Sequence, residues 1–358
     1  MGKGVRDARF LVRLLADPAA AAQVDDWTSL IALARAESLA GSLAWRLQGL
    51  ALPPRVDALL AAARRDGETA RTHALWEAEM ARRALTPLGV PVVLLKGTAY
   101  AAAGLETARG RSIGDLDILV PRDALAEVER ALLAAGWEWV KEDAYDDLYY
   151  RRWMHELPPL IHRERDRMID VHHAILPLTA RPRPDMAAMI EARVPLSDGL
   201  SVLSPPDMIV HAAAHLLADG DLAGGLRNLW DIDRLLREFG EGDEAFWPAL
   251  RERAQRHGLL AAVERALRLA HHLYGTPVDW GQLPNSGRSV GGEPDREFGS
   301  CPQLTRADAC YVRRLLARDG WGRATRPLTR LVFYVRSHWL RMPPLMLARH
   351  LWVKARRR

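Results

Sequence analysis

Three features of the 358-residue chain predict an α+β fold, with a small mixed β-sheet core flanked by N- and C-terminal helical regions. An unbroken apolar run, Val92-Val93-Leu94-Leu95, follows the turn signal Gly89-Val90-Pro91 and reads as a buried strand. From Gly114 to Val120 acidic and apolar residues alternate with the period of a second strand. On both sides of this stretch apolar residues recur at helical spacing instead.

Residues 1–88 read as helical. Trp27, Leu30, Ile31, Leu33 and Ala34 fall on one helix face, and Leu39, Leu43 and Leu47 recur every turn. Pro53-Pro54 breaks the run, and a helix is expected from about Arg55 through Leu85 with Gly67 as a weak point. Such a region either packs on the core, the expected outcome, or offers a helical surface to a partner.

Residues 89–178 form the expected sheet core. Lys96-Gly97-Thr98 ends the first strand and an Ala-rich helix follows to about Leu105. Strand, glycine and helix start together let backbone N–H groups approach an anion closely. In the second strand Asp115, Asp117 and Leu119 share one face, and Leu116, Ile118 and Val120 the other. Two carboxylates so close repel, and a bound divalent cation relieves them. The alternative is an edge strand with an acidic outer face. A helix from Pro121 to Ala135, stopped by Gly136, leads to a strand at Trp137–Val140. A hairpin follows over Leu157–Ile175, turning at Arg163–Arg167, with Asp170 and His172 on one face of its second strand. Pro177, Pro182 and Pro184 mark a boundary.

Residues 185–280 read as helical again. His211 and His215 stand one turn apart, and Asp231 and Asp233 follow. This is either a metal pair or, as the spacing fixes no third ligand, a packing and hydrogen-bonding face. Residues 281–306 are expected to form a flexible loop. Residues 307–358 form a basic C-terminal helical region, in which Trp321 to Arg358 carries ten basic and no acidic residues. Leu331, Phe333, Trp339, Leu340 and Leu351 interleave with them. That pattern suits an anionic surface or polyanion, or a packed helix with a solvated arginine tail.

Composition narrows the class. Hydrophobic content of 49% with 27% charged residues is that of a soluble globular protein. No stretch is long and apolar enough to span a bilayer, and Met1–Phe10 lacks a signal-peptide core, so the cytoplasm is expected. Cys301 and Cys310 have no metal-ligand spacing and read as reduced thiols. Only four of the 50 basic residues are lysine, and one is Lys96 beside Gly97, where a compact flexible ammonium would be wanted.

The blocks Leu94-Leu95-Lys96-Gly97 and Asp115-Leu116-Asp117-Ile118-Leu119-Val120, with Arg111 four residues ahead of the acids, resemble the nucleotidyltransferase superfamily of DNA polymerase β. More narrowly, they resemble a bacterial family known only as uncharacterised nucleotidyltransferases, whose blocks read LLKG and DIDLLV. His211, His215, Arg227 and Asp231 match its helical flank. Gly-Thr stands here where the superfamily usually has Gly-Ser or Gly-Gly. The resemblance implies transfer of an NMP group from an NTP, such as ATP, to a hydroxyl acceptor, a protein, peptide or small molecule, by a two-metal-ion mechanism. Asp115, Asp117 and Asp170 would be the catalytic residues and ligands of two Mg²⁺ ions. Lys96, Gly97, Thr98, Arg111 and His172 would bind the nucleotide. The alternative is a catalytically silent nucleotide-sensing or antitoxin-like module, against which the presence of all three acids argues.

Overall fold

A computed structural model describes residues 7–341 apart from 142, 198 and 283–302, together with residue 347. Most of the expected 281–306 loop, Cys301, and nearly all of 342–358 therefore lie outside the described residues. The architecture is α+β, as the sequence predicts.

Four helices come first: α1 (Arg9–Ala16), α2 (Trp27–Ala36), α3 (Ala40–Arg46) and the long α4 (Pro54–Leu85). The Asp26 carboxylate caps α2 by accepting the Ser29 N–H at 3.0 Å. Pro54 opens α4, where its missing N–H leaves no bond unmade. The expected weak point at Gly67 does not interrupt α4. Gly67 lies against Gly110, whose Cα would sit 3.0 Å from an added Cβ, and a Cβ on Gly41 of α3 would meet the Gly110 carbonyl at 2.2 Å. Gly110 itself has φ +67°. Three glycines thus hold the loop that leads to Arg111 and Asp115 close against α3 and α4.

The sheet follows: β1 (Val93–Leu94), α5 (Lys96–Ala102), β2 (Leu116–Leu119), α6 (Leu125–Ala134), β3 (Trp137–Trp139), α7 (Ala144–Trp153), β4 (Leu160–His162) and β5 (Met168–His172). Next come α8 (Met186–Glu191), β6 (Val194–Pro195) and β7 (Ser201–Val202). The strand order is β3-β4-β5-β2-β1-β7-β6. β4 and β5 form the expected hairpin, and its turn places Asp166 at φ +53°. β1 runs antiparallel to β2, while β5 lies parallel to β2 with Asp170 opposite Asp117. Val93, Leu94, Ile118, Leu119, Ile169 and Val171 of this central trio are buried on its two faces.

Two features depart from the sequence expectation. The chain returns to the sheet beyond the proline-marked boundary, where β7 pairs with β1 and β6 forms its edge. Two-residue strands carry no readable period, and Pro195 fits only because β6 is an edge. Helix α7, which the sequence expectation did not include, fills the stretch before the hairpin.

The remaining helices are α9 (Pro205–Ala213), α10 (Gly225–Gly240), α11 (Phe246–Arg256), α12 (Leu260–Tyr274), α13 (Arg306–Leu315) and α14 (Pro327–Arg341). A π-helical stretch, Ala214–Asp219, continues α9 and carries His215. Asp207 at the start of α9 is fully buried, held by Arg253 at 2.5 and 2.8 Å and by His257 at 3.2 Å on and just after α11. Cys310 is an exposed free thiol on α13.

Candidate active site

The acids expected to cluster do so. The carboxylates of Asp115, Asp117 and Asp170 can all bring oxygens within 4.8 Å of one another. Parallel pairing of β2 with β5 causes this, because it sets Asp117 and Asp170 side by side on one face. Asp115 stands just before β2 and is exposed, Asp117 is buried and Asp170 half-buried. Burial and the like charges of Glu156, Asp117 and Asp115 push Asp170 up to about 7. Burial also opposes the charge on Asp117, but Lys96 and His172 outweigh it and hold that carboxyl well below the usual range. One acid therefore keeps its charge while its neighbour holds a proton near neutrality.

Lys96 is the first residue of α5 and has φ +49°, uncommon for a residue with a side chain. Its Nζ lies 2.6 Å from Asp117 Oδ1, and burial, which disfavours its charge, is overcome by that partner. His172 Nε2 meets the same Asp117 oxygen at 3.0 Å, while its Nδ1 faces Glu156 Oε2 at 3.4 Å. His155 stacks on His172 with centroids 5.3 Å apart. His155, Glu156 and His172 form the second group among the described residues with donor atoms close enough to share a cation.

Gly97 and Thr98 lie buried in the first turn of α5. A Cβ on Gly97 would fall 1.8 Å from Arg111 Nη1, so glycine here makes room for an arginine. Arg111 is not a surface residue: it is 5% exposed, bonds Asp231 Oδ2 of α10 at 3.0 Å and stacks over Tyr100 at 5.5 Å. Its charge is thus already matched. Thr98 Oγ1, by contrast, is buried with no hydrogen-bond partner. Behind Lys96 a cavity of about 20 Å³, room for one water, is lined by Tyr100, His211, His215, Arg227 and Asn228 among others. Burial keeps both histidines neutral, pulling His211 well below its ordinary value and His215 to about 3. They face the active-site lysine rather than a grouping of metal ligands, and Asp233 is taken by Arg234, Arg237 and Thr276.

Glu156, His155 and Tyr100 escaped the sequence. No period or spacing marks Glu156, which reaches His172 only through a lone bridge between the segment after α7 and β5. Tyr100 had a signal in being one helical turn from Lys96. The donor set suits a hard divalent cation, having three carboxylates, no sulfur, and one carboxyl that holds a proton for want of positive charge.

The central strands of a mixed sheet carry an acid triad, with lysine and glycine at the adjoining helix start. Residues 23–275 match the family model described as uncharacterised nucleotidyltransferase. The chain belongs to that family. A solution structure of the antibiotic-resistance factor ANT(2'')-Ia is similar over 56% of this chain and 98% of that one, at 16% identity and a TM-score of 0.36. No curated protein matches. Family membership supports nucleotidyl transfer in general, with an NTP and an acceptor as the reactants.

Proposed function

We propose that the protein is a metal-dependent nucleotidyltransferase of the cytoplasm that moves an NMP group from an NTP to a hydroxyl acceptor. The observation that carries this is the triad itself, Asp115, Asp117 and Asp170 with oxygens within 4.8 Å. These residues would hold two Mg²⁺ ions. When bound, such ions neutralise charge on the polyphosphate and on the entering and leaving oxygens.

The chain's own residues supply the rest. The acceptor oxygen bonds to the α-phosphorus, the bond from that phosphorus to the bridging oxygen breaks, and pyrophosphate leaves. Asp170, kept charged by the ions it would hold, takes the acceptor's proton. His172 donates to Asp117 and holds it in place. The Lys96 ammonium rests on Asp117 and would meet polyphosphate oxygens brought to the triad; the Thr98 hydroxyl, buried and without a partner in the same first turn of α5, is the next candidate donor. Gly97 lets Arg111 close the loop behind them, and Arg111 acts through its bond to Asp231 rather than as a free phosphate ligand.

The test is Asp117→Asn. With a labelled NTP and a lysate as acceptor source, turnover is expected to fall by about a hundredfold or more, as for loss of a principal transition-state charge partner. Folding should persist, since Asn keeps the size of the side chain and an acceptor oxygen for Lys96 and His172. Labelling that survives unchanged in the variant would refute the reading. Tight Mg²⁺-dependent NTP binding without labelling in either protein would establish the silent sensing module instead.

A further inference from the structure

Helix α14 is amphipathic the wrong way round for a globular protein. Its packed side is Phe333 and Ser337, with Arg336 bonded to the Leu217 carbonyl at 2.6 Å and stacked on Tyr311. Leu328, Leu331, Val332, Val335 and Trp339 are instead between 51% and 78% exposed. At 3.6 residues per turn these five fall within an arc of about 100°, opposite the packed side. Seven of the fifteen large hydrophobic residues exposed among the described residues lie between Trp321 and Trp339. A continuous apolar stripe on the outward midline of a docked helix is an interaction surface.

Charge identifies the occupant. Trp321 to Arg358 carries ten basic and no acidic residues, whereas residues 1–320 carry 40 basic and 45 acidic ones. The apolar stripe therefore belongs to the one strongly cationic segment of an otherwise net-acidic chain. A second copy seated on it would bring two cationic segments together, and the rest of this chain's own C-terminal segment, itself basic, would do the same. A negatively charged surface with an apolar layer beneath answers both the stripe and the charge. Among the described residues no helix is long and apolar enough to cross a membrane. We propose that α14 is an interfacial helix that lays its Leu328–Trp339 face on an anionic lipid surface, with Trp339 and Tyr334 at headgroup level and the arginines on lipid phosphates. The net-acidic body would be turned away from the surface.

The full-length protein is tested by flotation with phosphatidylcholine vesicles made with and without phosphatidylglycerol. Wild type should float only with the anionic vesicles and be released by high salt. The double variant Leu331→Glu, Val335→Glu replaces two exposed side chains, so its melting temperature and NTP binding should be unchanged. Its vesicle affinity should fall by more than about tenfold, because apolar contacts become repelled charges. The proposal is overturned if wild type floats no better with anionic than with neutral vesicles, or if the double variant floats as well. It is equally overturned if wild type is a dimer in solution that these substitutions make monomeric.

Discussion

Asp117 and Asp207 are both buried aspartates that meet a histidine, at 3.0 Å from His172 and 3.2 Å from His257. Around Asp207 every charge is answered: Arg253 forks onto both carboxylate oxygens, Ser204 donates at 2.9 Å, and the far nitrogen of His257 accepts the Asp185 N–H at 3.1 Å. Around Asp117 negative charge is left over. Among the described residues Lys96 is the one lysine or arginine bonded to it, Asp115 and Asp170 crowd it, and the far nitrogen of His172 faces another carboxylate, Glu156. A closed network fastens α9 to α11, whereas under the proposed function the open one would take a cation. Buried charge by itself does not mark a site; its imbalance does.

The largest effect expected is on stability at the closed network. Asp207→Ala strands Arg253 and His257 and should cost about 3–5 kcal/mol in denaturant melts, as removal of one member of a buried ion pair does. Asp117→Asn also weakens the hold on Lys96 and His172, but Asn keeps the shape and an acceptor oxygen and relieves the crowding by Asp115 and Asp170, so its loss should be clearly the smaller. Equal losses at both positions would break the distinction.

Next in size is an opposite dependence on pH. Asp207 is held below its ordinary value, burial notwithstanding, by His257 and Arg253, so its stabilisation is present above the normal carboxylate range and lost on acidification through it. Asp170 is raised from 3.8 to about 7, so its contribution is present below 3.8 and lost as pH rises through about 7 in the metal-free protein. A cation must displace that proton. Calorimetry should therefore find Mg²⁺ binding about tenfold weaker at pH 6 than at pH 8, a difference that Asp170→Asn removes.

The smallest effect sharpens the boundary of the open region. Thr98→Val keeps the shape but deletes a hydroxyl that has no partner. Stability should stay within about 1 kcal/mol, because no hydrogen bond is lost. NTP affinity should weaken several-fold if the hydroxyl meets phosphate; unchanged affinity would place Thr98 in the core alone.

The open region was readable in the sequence because its spacing is local. Asp115 and Asp117 share a face by the period of one strand, and the β-branched run around Asp170 announced another. What the sequence could not carry was contact between distant segments. Arg111 is read for the nucleotide until Asp231 of α10 is brought to it, and Gly67 reads as a weak point of α4 until Gly110 is packed there. The strands β6 and β7 are too short to show a period. In α14 the apolar and basic residues were plain, but only packing could decide which face turned outward.

The parallel pairing of β2 with β5 also has a consequence for synthesis. All of α6, β3, α7 and β4 lies between the two strands, so closing that pair encloses a long loop, which is slow. A nascent chain that has emerged only as far as β4 carries Asp115 and Asp117 without their third partner. Under the proposed function, nucleotide and metal ions in the surrounding solution would gain no complete grip until β5 docks, and would not template the earlier steps of folding. Ligand stabilisation arrives at the end, as a lock on a finished sheet.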